Sequence, residues 1–222
     1  MDDSISLTTK FDDARRIETW QLYLSISILS VIVAIALQKF IMTQEVYYSI
    51  YGSQMEEYRI DDFIKFTEKF QVWGYIATPL LVWLRIAFVA FLIQLPFMLK
   101  YIEIPFNEVF RIAAFAFMVM LSADIVRFFY LYFLPSESIS TESLTITPLA
   151  LSNLLNKTNY SDIAYTILSK INVFEFVWSY VVYRGLYRTD KINKLDSMPV
   201  VMCVWVGILV LVVAINLFLK TL

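Results

Sequence analysis

The chain has 222 residues, 59% of them apolar, 17% aromatic and 17% charged, with 18 Lys and Arg set against 20 Asp and Glu for a net charge of −2. A soluble domain is about a quarter charged and about half apolar or less, so this balance describes a one-domain membrane protein and excludes nucleic acid as a partner, which clustered Lys and Arg would have to hold. A single cysteine, Cys203, and no histidine at all rule out an internal disulfide framework and argue against redox or zinc chemistry, so no cofactor is expected.

The start of the chain, residues 1–19, is polar and carries Asp2, Asp3, Asp12 and Asp13. It lacks the apolar core of a cleavable signal peptide and reads as a short cytoplasmic segment ahead of a membrane domain over 20–222. A crossing needs about 20 mostly apolar residues to cover roughly 30 Å at 1.5 Å per residue. Five stretches meet that length, over about 20–41, 73–99, 109–134, 163–187 and 198–219. The fold class expected is therefore all-α, a polytopic bundle of five transmembrane helices. The second stretch contains Pro79 and Pro96, each predicting a kink near one end. Cys203 falls inside the last and reads as a small buried hydrophobe.

Between the first two stretches Ile60, Phe63, Ile64, Thr67 and Phe70 recur at near-helical spacing, while Glu57, Asp61, Asp62, Lys65, Glu68 and Lys69 take the other face. That is the pattern of an amphipathic helix lying on the outer membrane surface or capping the bundle. Between the third and fourth, a run from Ser136 to Ser143 favours turns, and Thr147-Pro148 predicts an N-cap and first turn of a short helix through Leu155. Sequons at Asn156–Thr158 and Asn159–Ser161 fall in the same loop.

Orientation follows the positive-inside rule. Lys10, Arg15 and Arg16 precede the first span, Lys100 and Arg111 flank the link between the second and third, and Arg184, Arg188, Lys191 and Lys194 fill the link between the fourth and fifth. These segments share one side, which places the N-terminus in the cytoplasm and the C-terminus outside.

Four charges lie within the apolar stretches. Arg85 sits roughly 18 Å from the outer end of the second, Asp124 about 15 Å into the third and Glu175 about 18 Å into the fourth, with Arg127 one turn from Asp124. Each charge at the centre of a bilayer costs about 2.5–3.5 kcal/mol on insertion scales, so such residues pair with one another or serve a pathway. An Arg85–Asp124 ion pair between helices is expected, with Arg127 as the local competitor for Asp124. Glu175 is left as the acid free to act in a relay. Glu56-Glu57 followed by Arg59 resembles the acidic pair of intramembrane prenyl-protein proteases, but no histidine follows, and no glycine-rich phosphate loop is present. No enzymatic activity is expected.

The run Asn172-Val173-Phe174-Glu175-Phe176-Val177-Trp178, then Gly185, a basic link through Lys191 and Lys194, and a last apolar span with Trp205, resembles the end of the Ypt-interacting-protein (Yip) family. The short link with Pro105-Phe106 and Arg111 is similar to that family's middle. The resemblance implies five spans, a cytosolic N-terminus and, given the short N-terminal arm, a prokaryotic relative in the bacterial inner membrane. The function expected is a non-enzymatic membrane scaffold or partner subunit, its charged cluster holding the bundle together. The partners expected are the lipid bilayer and other membrane proteins or a second copy of the chain. The rival expectation is a small transporter or channel component whose pathway is the polar centre around Glu175.

Overall fold

A computed structural model describes residues 18–156, 159–189 and 191–221. The N-terminal segment expected to lie in the cytoplasm, with Lys10, Arg15 and Arg16, falls almost wholly outside the described residues, as do two residues of the first sequon.

The chain is helical almost throughout. Helix α1, Thr19–Ala36, starts at Glu18, which forms a reciprocal capping box with Gln21, and it runs on through a π turn over Leu37–Ile41. Helix α2 covers Gln44–Tyr51, α3 Glu57–Leu99 and α4 Phe106–Tyr132. A 3-10 turn over Ser136–Ser138, the short helix α5 over Thr141–Thr145 and a second 3-10 turn over Leu151–Leu154 follow. The chain closes with α6 over Asp162–Lys170, α7 over Val173–Tyr187 and α8 over Lys194–Thr221.

Among the described residues, four helices are long and apolar enough to cross a membrane, over Thr19–Ile41, Glu57–Leu99, Phe106–Tyr132 and Asp196–Phe218. They match the first, second, third and fifth predicted spans. The predicted fourth span over 163–187 is not one helix, because the chain leaves helical geometry at Ile171 and Asn172 and divides it into α6 and α7. With 15 residues, α7 is about 22 Å long, short of a bilayer core on its own.

Two further expectations are corrected. The amphipathic segment after Glu57 is not a separate helix but the opening turns of α3, which runs for 43 residues, about 65 Å. Pro79 and Pro96 both lie inside that helix. Thr147-Pro148 starts no helix: Leu149 has a φ of 55°, and the following turn begins from Ala150.

Two ends of the bundle are tied by different chemistry. At the hairpin end, Gln94 Nε2 donates to the Ile104 carbonyl at 2.8 Å across the α3–α4 turn, and Lys100 Nζ meets Asp196 Oδ1 at 3.1 Å, fastening α3 to the first turn of α8. At the cap end, Ser49 Oγ donates to the Glu137 and Ile139 carbonyls, fastening α2 to the α4–α5 connection, and the Tyr48 hydroxyl donates to Asp61 Oδ1 at 2.7 Å. Between them lies one main core, in which Ile26, Ile86, Ile93, Phe97, Val109, Val182, Leu186 and Val201 bring α1, α3, α4, α7 and α8 together. Helix α7 is packed hardest against α4. Gly185 makes that approach possible, since a Cβ there would stand 2.7 Å from Ile112 Cγ2.

Candidate functional site

Interrupting a helix exposes carbonyls at the end of one half and N–H groups at the start of the next, and these must find partners. A buried asparagine supplies a partner on each side of the break here. Asn172 Oδ1 accepts from the Glu175 N–H at 2.9 Å, capping α7, while its Nδ2 donates to the Ser169 carbonyl at 3.2 Å in the last turn of α6. The Ile171 carbonyl accepts from the Leu151 N–H at 2.9 Å, and Ala150 and Asn172 form an isolated antiparallel bridge. The break is thus fastened on both sides, and it holds a fixed place in the bundle.

Two charged side chains flank it. Lys170 ends α6 and Glu175 lies in the first turn of α7. Both line a cavity of ≈ 630 Å³ between α7 and α8, whose other walls include Phe176, Tyr180, Tyr183, Met202 and Trp205. Trp205 lies roughly 16 Å along α8 from its start, and so Glu175 faces the middle third of that helix. No ion pair joins Lys170 to Glu175 among the described residues. The cations near enough for their fields to act on the Glu175 carboxylate are Lys170 and Arg85, and the Trp205 indole faces it.

A second cavity of ≈ 760 Å³ lies on the cap side of the break, and Lys170 lines both. Its walls differ in kind: Ser140, Ser143, Thr147, Asn153, Thr166 and Asn216 supply hydroxyls and amides. Lys170 therefore stands where a polar chamber meets an apolar one.

The remaining predicted charges are arranged otherwise than expected. Asp124 pairs with Arg127 at 2.8 Å within α4, so the interhelical Arg85–Asp124 pair is corrected: three residues along one helix bring the two groups together without any help from tertiary structure. The Arg85 guanidinium instead lies over the Phe117 ring, 5.2 Å from its centroid. Cys203 is exposed on α8 and not buried in the core. Among the described residues no group of three or more Cys, Asp and Glu is placed to hold a metal ion.

Two residues of the site escaped sequence reasoning in different ways. Lys170 falls near one end of the unbroken span predicted over 163–187, so only the break after α6 gives it a place at the site. Asn172 carried a readable signal: an Asn followed three residues later by Glu, before an apolar run, is the signature of a helix N-terminus. Comparisons with family models, with curated proteins and with solved structures return no match.

Proposed function

We propose that the chain is an integral membrane transport component that handles a solute at the Glu175 cavity. The observation that carries this reading is the cavity itself, since a carboxylate at an interrupted helix, opening on a chamber large enough for a small molecule, is a costly arrangement for packing alone. Irregular backbone at membrane depth is tolerated where it is buried in protein or lines a cavity, and half-helix ends are where such proteins bind their cargo. In this reading α6 and α7 together make one crossing in two pieces, giving five crossings. The membrane is the bacterial inner membrane, with the hairpin end and its Lys and Arg residues in the cytoplasm.

Reconstitution tests it. Purified protein in liposomes should support at least one flux among protons, monovalent cations and short-chain fluorescent phospholipids, and Glu175→Gln should abolish that flux with the melting temperature unchanged. Liposomes without any flux above empty vesicles would end the transport reading. A Yip-type scaffold is the second reading, favoured by the Asp124–Arg127 and Lys100–Asp196 pairs, which satisfy their charges locally and need no pathway.

A further inference from the structure

The cavity between α7 and α8 is lined by an acidic and a basic side chain that no direct ion-pair contact joins. Lys170 and Glu175 are five residues apart in sequence, on either side of the break, and neither forms an ion pair among the described residues. The Trp205 indole is the polar neighbour on the Glu175 carboxylate, which leaves both Lys170 and Glu175 without an ion-pair partner among the described residues. The other ionisable neighbour, Arg85, is held over Phe117 and is not part of the cavity wall. Apart from Ser179, the rest of that wall is apolar or aromatic, with Phe176, Met198, Val201, Met202 and Trp205 among its residues.

From this juxtaposition we infer that the cavity takes an amphiphilic zwitterion, its ammonium group on Glu175, its anionic group on Lys170 and its apolar body along α8. The inference rests on the transport reading and names its cargo class. A purely cationic ligand would satisfy Glu175 but meet Lys170 and Arg85 as like charges. An anionic one would satisfy Lys170 and leave Glu175 opposed. Only a molecule with both charges completes both groups, and a hydrogen bond to a charged group is worth about 1.5–3 kcal/mol, roughly ten- to 150-fold in affinity. The volume of ≈ 630 Å³ admits a head group and the first part of a chain. Trp205, Tyr180 and Tyr183 offer aromatic faces to an ammonium ion. Lys170 also faces the polar chamber, so an anionic group can reach it from the cap side while the apolar body lies in the other chamber.

The test is equilibrium binding by the full chain in a non-ionic detergent, with four probes: a lysophosphatidylethanolamine, a lysophosphatidic acid and an alkyltrimethylammonium of matched chain length, and free phosphoethanolamine. The zwitterionic lysolipid should bind at least about tenfold more tightly than the other three. Glu175→Gln should move the preference to the anionic probe, and Lys170→Gln should move it to the cationic one; Lys170→Arg should keep the original order. A merely structural role would weaken all probes alike and reverse no preference. Equal binding of the three chain-bearing probes, or a preference unmoved in both Gln variants, overturns the inference. Phosphoethanolamine binding as tightly as the lysolipid overturns the amphiphile and leaves a soluble zwitterion as the ligand. Because nothing here depends on flux, an E175Q-sensitive flux without head-group preference refutes the cargo class alone, and zwitterion binding without flux refutes transport alone.

Discussion

Asp124 and Arg127 show how a charge pair can be inexpensive inside an apolar stretch: the helix itself sets the spacing, and the contact of 2.8 Å costs little extra order. Removing one member leaves the other without its partner, so Asp124→Asn and Arg127→Gln should each destabilise the protein by about 1–3 kcal/mol, and the double variant by clearly less than the sum. Arg85→Gln should add independently to Asp124→Asn, because Arg85 rests on Phe117. Thermal unfolding in detergent measures the whole cycle, and a large Arg85–Asp124 coupling would contradict the assignment. Gly185 makes the other residue-scale prediction. An added methyl would stand 2.7 Å from Ile112 Cγ2 and 3.0 Å from Cγ1, against a β-branched side chain with little freedom to turn. Gly185→Ala should therefore cost about 1–3 kcal/mol, and Ile112→Ala in the same chain should recover part of it; no recovery would mean that the strain lies elsewhere. Arg85, Asp124, Arg127 and Glu175 were legible in the sequence because charges stand out in an apolar run. The Asp124–Arg127 spacing was legible with them, whereas the neighbours of Arg85 and Glu175 were not, since which faces of two helices meet is decided by packing across all of them.

At the scale of elements, the interruption between α6 and α7 depends on Asn172 more than on any other residue, because one side chain caps α7 and holds the last turn of α6. Asn172→Ala should cost about 1–2 kcal/mol and raise amide hydrogen exchange across α6 and the first turn of α7, leaving α4 protected. Uniform loss of protection over the bundle would show that the break is not a separable unit. The α2–α3 contact gives a pH prediction outside the spans. The hydrogen bond to Asp61 is the main cause that raises the Tyr48 phenol above its ordinary value of 10.0, with smaller contributions from desolvation and the nearby acids. A raised pKa means that the folded state holds the proton more tightly. The contact therefore stabilises fully below pH 10 and is lost as pH climbs through the folded value. The phenolate absorbance that Tyr48→Phe removes should titrate above the ordinary tyrosine range, and Asp61→Asn should bring it down. Long apolar runs made α1, α4 and α8 legible in the sequence, whereas the continuity of α3 was hidden by the change from amphipathic to wholly apolar at Trp73. A helix keeps its backbone hydrogen bonds across such a change, and only its surroundings differ.

For the whole molecule, the ties at the two ends decide how the chain is threaded. Ser49 holds the α4–α5 connection at the cap end, and the Lys100–Asp196 pair holds the start of α8 at the hairpin end, so α6 and α7 carry the chain from one end to the other. If that passage is a membrane crossing, Ser53, Ser138 and a C-terminal reporter lie on one side, with Glu103 and Arg188 on the other. Single cysteines at these positions, in a Cys203→Ser background, can be labelled in intact cells with an impermeant maleimide. Ser53 and Ser138 should react from outside, Glu103 and Arg188 only after the cells are opened, and the C-terminal reporter should be outside. A C-terminus on the side of Glu103 would mean that α6 and α7 enter and leave by the same face, and a helix pair of that kind would make the Glu175 cavity a recess and not a passage. Reaction of Glu103 from outside with Ser138 protected would keep the threading and invert the orientation, which the Lys and Arg of the hairpin end argue against.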